Sequence, residues 1–245
     1  MTTEEFDEGF KLRYNNALEG APGIDAFEVS QYLTNAQWEI VKDNYDIDTD
    51  LKSSFELKEK ARRILNELVV HETITTVSSS ERGLLDSSKF FEYSKQPMYV
   101  VLESVKLKSL DEVYDGKVIE VIPITHDEFF RSHRNPFRKP NKNKAWRLDI
   151  SKENAKTTVE VISEVDVYSY TARYIATPSP IILADLITDD EVGGLGLSID
   201  GKTEKATCVL NTQVHSEIID RAVELAVLDY RQGDLQSRVA LNKRV

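Results

Sequence analysis

The spacing of apolar residues changes its period near residue 71, and this change limits the fold more than any other feature of the sequence. Before residue 71, apolar side chains recur every three or four positions, as Phe6, Phe10 and Tyr14 do, which is the period of an amphipathic helix. After it, runs rich in Val, Ile, Thr and Tyr alternate apolar with polar residues, which is typical of strands. The sequence therefore predicts an α+β protein whose helices and strands occupy separate stretches of the chain.

Capping-box spacing marks candidate helix starts in the first 70 residues. The pairs are Thr2 with Glu5, Asp25 with Glu28, Thr34 with Gln37, and Ser53 with Glu56. Four helices in this stretch predict a small N-terminal helical bundle. Another amphipathic helix follows Asn211 or Thr212, and Gly233 can end it. The predicted parts are a helical domain at 1–70, a β-rich domain at 71–210, a C-terminal helix at 211–232 and a flexible, extended basic tail at 233–245.

Six segments of the β-rich part have strand composition: VHETITTV, PMYVVLESVKLK, GKVIEVIPI, AWRLDIS, TTVEVISE and VDVYSYTARYIA. A DG turn at 115–116 separates two of them, and Thr125 with Glu128 caps a short helix, HDEFFRSH. No long helices alternate with these strands, so we expect an antiparallel sheet and not a doubly wound parallel one. Pro178 and Pro180 predict a rigid corner after the last strand.

Several functional classes are disfavoured by composition. No apolar run approaches the roughly 20 residues that a membrane-spanning helix needs, and MTTEEFDEGF lacks a signal peptide's apolar core. We therefore expect no membrane association. The single cysteine, Cys208, cannot form a disulfide within one chain and favours a reducing compartment. We expect Cys208 to be a strand residue in the core.

The most enzyme-like stretch is GLSIDGKT, which matches the phosphate-binding pattern G-x-x-x-x-G-K-[ST]. That chemistry needs a buried strand before the loop and a helix after it, but the flanking segments are acidic and β-rich. A hairpin with a DG turn at residues 200–201 fits better. The four histidines show no spacing typical of a metal site. The sequence thus predicts no catalytic site, no metal and no cofactor.

Charge is unevenly distributed along this chain of net charge -11. Residues 1–50 hold twelve acidic and three basic residues, a net charge of -9, whereas residues 131–147 hold seven basic residues and no acidic one. We interpret the basic stretch as an exposed loop that contacts a partner, and Trp146 within it as a core residue that starts a strand. The candidate partner-contact residues are Arg131, Arg134, Arg138, Lys139, Lys142 and Lys144 in this loop, and Arg238, Lys243 and Arg244 in the tail.

Five segments together resemble a family of phage virion proteins. They are EEFDEGFKLRYNNA with APGIDAFEVSQYLTNAQWEIVKDNY, FELKEKARRIL, VIPITHDEFFRSHRNPFRKP with AWRLD, RYIATPSPIIL, and CVLNTQVHSEIIDRAVELA. The family is the head–tail connector, or neck ring, protein of crAss-like and related short-tailed phages of the Bacteroidetes. The resemblance covers nearly the whole chain and leaves open which ring of the neck this is.

The resemblance implies a virion structural protein without enzymatic activity or cofactor. Such a protein would assemble in the host cytoplasm into a twelvefold ring beneath the portal, extend the DNA channel and dock further tail components. The implied partners are copies of itself, the portal protein, other neck and tail ring proteins, and the packaged DNA. A C-terminal segment that reaches the portal would suit the tail after Gly233.

A ring needs two different complementary faces on each subunit, and the acidic N-terminal helices and the basic loop could supply them. Because packaged DNA must slide during ejection, tight phosphate binding in the channel would hinder it, which favours a protein contact for the loop. The alternative is a nucleic-acid-binding module that uses residues 131–147, since aromatic residues interleaved with Lys and Arg can bind single strands.

Overall fold

The computed structural model describes residues 1–18, 20, 22–46, 59–76, 83–85, 87–153, 156–186 and 197–242, with the backbone alone for 46, 151–153, 156 and 232–242. The chain divides into two compact units, residues 1–67 with 178–245 (unit 1) and residues 68–177 (unit 2). Both ends of the chain therefore contribute to unit 1. The sequence predicts domain boundaries where the type of secondary structure changes, whereas the two units are separated by compactness. The predicted domain boundaries remain a prediction.

Helices form the core of unit 1. The described α-helices of the chain are α1 (Thr3–Ala17), α2 (Ala26–Asp46), α3 (Glu59–Leu65), α4 (His126–Ser132) and α5 (His215–Asn242). The capping box at the start of α1 is confirmed, because Glu5 N donates to Thr2 Oγ1 and Thr2 N donates to Glu5 Oε2. Phe6, Phe10 and Tyr14 are buried on one face of this helix. Both α1 and α2 pack against α5, so the helical core needs the C-terminal helix.

Helix α2 corrects the expectation of two helices between residues 25 and 45, because it is one continuous helix. Thr34 and Gln37 do not cap a helix but lie inside one, on a buried face. Thr34 Oγ1 accepts a hydrogen bond from Ile181 N at 3.1 Å, and Gln37 Nε2 donates to Ser179 O at 2.8 Å. Their polar groups therefore hold the proline-containing segment that follows unit 2, an interaction that local sequence spacing cannot reveal.

The other helix ends also differ from expectation. The predicted helix start at Ser53 and Glu56 lies outside the described residues. Helix α5 continues to Asn242 and does not end at Gly233. A glycine inside a helix costs only about 0.5–1 kcal/mol relative to alanine, so the residues on either side can keep the helix going. The part of the tail up to Asn242 is thus helical and not extended.

A seven-stranded sheet forms unit 2. Its strands are β1 (Val69–Thr75), β2 (Lys89–Glu92), β3 (Pro97–Leu107), β4 (Val118–Pro123), β5 (Lys144–Glu153), β6 (Lys156–Ile162) and β7 (Val167–Ala176), in the spatial order β1-β7-β3-β4-β5-β6-β2. The six predicted strand segments are all present, and β2 is the strand that the sequence did not predict. With only four residues, β2 is too short to show a clear alternating pattern.

The expectation of a wholly antiparallel sheet is wrong for one pair, since β4 and β5 are parallel. Parallel neighbours need a crossover connection of a dozen or more residues. The chain between β4 and β5 supplies one, made of α4 and the basic loop. The basic stretch therefore has an architectural role in the sheet as well as a charge.

The sheet curls until its two edge strands come close together, as a near-barrel. Glu72 of β1 accepts hydrogen bonds through Oε1 from Tyr174 Oη at 2.8 Å and from Ser94 N, just after β2, at 3.1 Å. The interior is filled by a continuous buried cluster. Its fully or nearly fully buried members include Phe91, Tyr93, Val105, Leu107, Val159, Val161, Tyr170, Ala172 and Tyr174. On the outside of β5 and β6, Phe129 of α4 packs with Trp146, Leu148 and Ile162.

Candidate partner-contact surface

The basic loop is anchored at its start by α4. Thr125 Oγ1 accepts from Glu128 N at 3.3 Å, which confirms the predicted cap of this short helix. Phe129 is buried against Trp146, with ring centroids 6.0 Å apart in an edge-to-face arrangement. Trp146 is therefore a core residue, as the sequence predicts. Because α4 is held in this way, the loop leaves the unit from a defined position.

Two asparagines shape the loop itself. Asn135 Oδ1 accepts from Phe137 N at 3.0 Å, and Asn141 Oδ1 accepts from Asn143 N at 2.8 Å. Such side-chain turns mimic a backbone turn and are typical of asparagine. Lys144 Nζ also donates to Phe137 O at 3.3 Å. The loop is thus built from two tight turns with Phe137 at the tip of the first.

The structure places the predicted contact residues of the loop in two groups. Lys144 is half-buried and supports the loop through its bond to Phe137 O. The remaining five side chains are exposed: Arg131, Arg134, Arg138, Lys139 and Lys142. In the tail, the backbone of Arg238 lies in α5, whereas Lys243 and Arg244 lie outside the described residues. The structure therefore exposes five of the six loop residues, and a partner contact through the loop or the tail remains a prediction.

A second loop, between β3 and β4, lies beside the basic loop. Lys142 Nζ lies 4.3 Å from the ring centroid of Tyr114, a cation–π contact, and Lys117 Nζ donates to Asn143 Oδ1 at 2.7 Å. Leu110 and Val113 of this second loop are fully and 73% exposed, respectively. Sequence reasoning missed these two residues, although apolar residues inside a turn-rich stretch (SLDEVYDG) were a signal that could have found them.

Of the two aromatic residues in the stretch 131–147, which the nucleic-acid alternative relies on, only Phe137 lies at the surface. Phe137 is 88% exposed, whereas Trp146 is 3% exposed and packs in the core. Phe130 of α4, 70% exposed, is a further aromatic side chain that the sequence analysis did not single out. Exposed apolar side chains among cations are the composition of a protein contact surface, in which aromatic and arginine residues are enriched.

A buried charged pair lies inside the sheet, away from this surface. Arg147 Nη1 and Glu103 Oε1 are 2.5 Å apart, and their side chains are 10% and 6% exposed. Burial raises the pKa of Glu103 to about 7, although the neighbouring Arg147 acts to lower it. Burial by itself would lower the pKa of Arg147, but the Glu103 carboxylate holds it above its ordinary value. Residues of β3 and β5 alternate between the inside and the outside of the sheet, and Glu103 and Arg147 fall at inside positions. This alternation in the sequence could have identified the pair.

Two tyrosines extend the buried network. Tyr93 Oη lies 2.7 Å from Tyr170 Oη and 3.4 Å from Arg147 Nη1. Burial raises the pKa of Tyr93 to about 12, and it raises that of Tyr170 further, so both phenols stay protonated. The network therefore holds one arginine and one carboxyl group among neutral donors, and nothing in it resembles a nucleophile with its base.

A cavity of about 520 Å³ opens next to this pair. Its lining combines the first half of β3, the end of β4, the middle of β5 and the start of β6, namely Gln96, Pro97, Met98, Tyr99, Val100, Glu103, Pro123, Arg147, Asp149, Ile150 and Thr157. Asp149 stands at the opening with a side chain that is 65% exposed, 3.4 Å from Arg147. The cavity is thus apolar along much of its wall and carries two carboxyl groups and one guanidinium.

The enzyme-like features do not form a site. Residues 199–202 make a tight turn with positive φ at Asp200 and Gly201, which agrees with the predicted hairpin. Lys202 Nζ donates to Ser179 Oγ at 2.9 Å, and no helix follows directly.

Cys208 is half-buried and lies outside any strand, contrary to expectation, because only isolated bridges form near it. Burial raises the pKa of its thiol to about 11.

Searches for other site types were also negative within the described part of the chain. No group of three or more His, Cys, Asp or Glu side chains is placed to hold a metal ion there. None of the described helices combines the length and the apolar character that crossing a bilayer requires.

Comparison with known proteins decides the family. The model of the phage tail ring protein 3/4 family matches residues 1–237. The chain belongs to this family. Ring protein 3 of Bacteroides phage crAss001 is 38% identical over 236 residues, which cover 95% of this chain and 97% of that protein. Ring protein 4/5 of the same phage is 31% identical over 255 residues, which cover 100% of this chain and 99% of that protein.

Membership of the phage tail ring protein family makes this chain a structural component of the virion that takes part in a ring. The resemblance noted from the sequence is thereby confirmed at the level of the family. The family's name points to a structural and not an enzymatic role. The chain is similar to two different ring proteins of one phage, so similarity does not assign it to a particular ring.

Proposed function

We propose that this protein forms a homo-oligomeric ring, a dodecamer, in the neck of the phage between the portal and the tail. In this position the ring extends the DNA channel and docks further tail components. Membership of the tail ring protein family supports ring formation, and the exposed basic surface of unit 2 supports a defined protein contact. A ring protein with this architecture needs no cofactor, and its partners are copies of itself, the portal protein and other ring proteins.

The proposed contact between subunits is supported above all by the ordered structure of the basic loop. Five exposed cations stand on a loop whose two turns are held by Asn135 and Asn141, and Phe137 is exposed at its tip. A pre-ordered loop loses little conformational entropy on binding, so it is suited to a permanent contact between subunits. We propose that this surface contacts an acidic face on the neighbouring copy.

The location is tested by quantitative peptide mass spectrometry of purified virions. We expect this chain at about the copy number of the portal protein, and imaging of the neck should then show a ring next to the portal. If the chain is abundant in infected cells but missing from virions, the proposed function is wrong.

The contact is tested by neutralising Arg134, Arg138, Lys139 and Lys142 together by substitution with glutamine. Since asparagine side chains hold the turns of the loop, and Lys142 adds only an exposed cation–π contact with Tyr114, the variant should fold normally. We expect ring assembly to fall more than tenfold, because each subunit loses its charged face. A matched variant with glutamine at the exposed positions Lys42, Lys60, Arg62 and Lys95 should assemble normally. Normal assembly of the loop variant would rule out the contact.

We further propose that the C-terminal end contacts the portal through Arg238, Lys243 and Arg244. The support is the basic composition of the last residues and the fact that α5 carries the chain as a helix to Asn242. A chain that stops after Gln232 should still form rings but lose attachment to the portal, which co-purification of the two proteins would measure.

Phe130 and Phe137 are exposed among cations, and such an arrangement can bind single-stranded DNA. DNA binding is therefore a second candidate function. Gel shifts with single-stranded DNA at low and high salt separate the two functions. As a ring protein, the chain should bind DNA only weakly and lose that binding at physiological salt. Tight binding that survives physiological salt would favour the nucleic-acid function for this loop.

A further inference from the structure

The sheet of unit 2 splits where the cavity lies. Strand β3 pairs with β4 only over Ser104–Lys106, and β4 pairs with β5 only over Glu120–Pro123. Strand β4 therefore leaves β3 to join β5. Among the described residues, the first half of β3 has no strand partner on this side, and the cavity opens between it and β5. The gap is thus part of the architecture and not a local packing fault.

The polar groups of the cavity define what it can bind. Two polar atoms of its lining, the acceptor Glu103 Oε2 and the donor Arg147 Nε, are buried and have no hydrogen-bond partner among the described residues. Asp149 adds a second carboxylate at the opening. A buried acceptor without a partner is costly, on the order of 1–3 kcal/mol, so a ligand that brings a donor or a cation would be stabilised there. The apolar wall, which includes Met98, Val100 and Ile150, suits an aromatic or aliphatic group beside that cation.

The basic loop of the same chain carries this combination. Phe137 is 88% exposed at the loop tip, and the exposed cations Arg138 and Lys139 follow it directly. A cavity of about 520 Å³ exceeds what one phenylalanine side chain occupies, and cavities of about 300–1,000 Å³ hold drug-sized ligands. Aromatic side chains that fill cavities at the centre of an interface contribute most of its binding energy.

The loop and the cavity lie at opposite ends of the same strands. The loop returns beside the start of β4, where Lys117 contacts Asn143, whereas the cavity is lined by Pro123 at the end of β4. Along β4, Lys117 at the loop and Pro123 at the cavity are separated by roughly 20 Å at about 3.3 Å per residue. A projection at one end and a receptor at the other give each subunit two different faces, which is what a head-to-tail ring requires.

The acidic helices of unit 1 are the competing receptor for the loop. Several of their carboxylates are already paired within that unit: Asp7 with Lys11 at 2.8 Å, Asp220 with Arg13 at 3.2 Å, and Glu39 with Arg221 at 2.5 Å. At the cavity, two carboxyl groups share the single guanidinium of Arg147, so one negative charge is left for an incoming cation. Two openings among the described residues of unit 1, of about 430 and 350 Å³, are lined mostly by polar and charged side chains, so they suit an aromatic side chain less well than the cavity of unit 2.

We propose that the loop tip, Phe137 with Arg138, inserts into the cavity beside Glu103 and Asp149 of a second copy of this chain. The inference rests on the proposed ring and names the two faces that join its subunits. Phe137 fills the apolar part of the cavity, and the cation of Arg138 lies against the carboxylates. Repeated from subunit to subunit, this contact closes the ring.

The contact is tested by disulfide trapping in virions made with Cys208→Ser chains. A Pro136→Cys chain, which keeps Phe137 and the cations of the loop, and a Met98→Cys chain are co-assembled and oxidised. We expect a crosslinked pair that contains one chain of each kind, and no pair when either chain is used alone. One chain with both substitutions should give a ladder of multimers, because a head-to-tail contact continues beyond a dimer. Pro136→Cys paired with Tyr168→Cys, on the exposed face of β7, is the control that should not crosslink.

Different failures separate this inference from the proposed function. If virions contain no ring of this chain, both are overturned. If the ring is present but Pro136→Cys crosslinks to Leu12→Cys on the acidic face of α1, or to another protein, only the cavity contact is wrong. As a second measurement, Phe137→Ala should weaken self-association more than tenfold, whereas Val113→Ala, at a residue of similar exposure, should change it less than twofold. Equal effects of the two substitutions would also overturn the inference.

Discussion

At the scale of single residues, Glu103 and Arg147 stand out because they put two charges inside a sheet whose interior is otherwise apolar and phenolic. A buried ion pair is weak evidence for stability, since the loss of hydration offsets most of the attraction. Its retention therefore fits a role at the cavity that it lines better than a role in holding the sheet together. The same burial makes the protonation of Glu103 a measurable reporter of its surroundings.

The stability of the protein should depend on pH through Glu103. Burial raises the pKa of this carboxyl from 4.5 to about 7, so its contribution to stability is fully present below pH 4.5 and is lost as the pH rises through about 7. The lost free energy is on the order of 3 kcal/mol. Urea unfolding between pH 4.5 and 8 should show this slope in the natural chain and a flatter one in Glu103→Gln. Equal slopes in both chains would mean that Glu103 ionises normally.

At the scale of elements, α2 acts as a receptor for an extended segment. Ser30, Thr34 and Gln37 recur along one face of the helix, and each bonds to the backbone between residues 179 and 183. Because that segment joins no strand of the large sheet, its buried backbone groups need partners elsewhere. Polar side chains on a helix face provide them, and they fix the chain where it enters unit 1.

Thr34→Val tests this role of α2. The substitution keeps the shape of the side chain but leaves the buried N–H and C=O of Ile181 without the hydroxyl. We expect a loss of about 1–3 kcal/mol in the free energy of unfolding, measured by chemical denaturation. Thr34→Ser, which retains the hydroxyl, should lose clearly less. Similar losses for the two variants would show that the methyl group and not the hydrogen bonds matters here.

Gly233→Ala tests the continuity of α5. Because Gly233 lies within the helix, alanine should stabilise it by about 0.5–1 kcal/mol and raise the helical signal in circular dichroism. If the helix instead ended at Gly233 with a left-handed residue, alanine would be strained there and the protein would lose stability. The sign of the change thus distinguishes a continuous helix from a capped one.

At the scale of the whole molecule, the two units differ in how the chain builds them. Unit 2 is a single continuous stretch, residues 68–177, with its own buried cluster. Unit 1 combines the two ends of the chain, since α1 and α2 pack against α5. Unit 2 is thus inserted in the chain between the two parts of unit 1. Because it is continuous, the sheet unit can fold by itself, whereas the helical unit needs both ends of the chain.

A fragment of residues 68–177 should therefore fold alone. We expect cooperative unfolding with a free energy on the order of 5–10 kcal/mol, and the pH dependence of Glu103 should persist in the fragment. Residues 1–67 alone should show little stable structure, because the apolar faces of α1 and α2 lack α5. Circular dichroism with urea titration measures both. A stably folded N-terminal fragment would contradict this division.

Local physical chemistry determined much of the molecule from sequence alone. The helix start at Thr2, the cap at Thr125, the DG turns, the positions of six strands and the burial of Trp146 depend on neighbouring residues, so short-range patterns contain them. The exposure of Arg134 and Arg138 likewise follows from the turn-forming asparagines and prolines around them. Family membership also rests on the order of residues and needs no coordinates.

Tertiary structure alone decided which elements meet. The parallel pairing of β4 with β5, the use of Thr34 to hold Ile181, and the opening between β3 and β5 join residues far apart in the chain. Short-range patterns cannot encode such contacts, because the same alternation of apolar and polar residues suits either strand direction and any neighbour. The cavity that Glu103 and Arg147 line exists only because strands from separate parts of the chain diverge there.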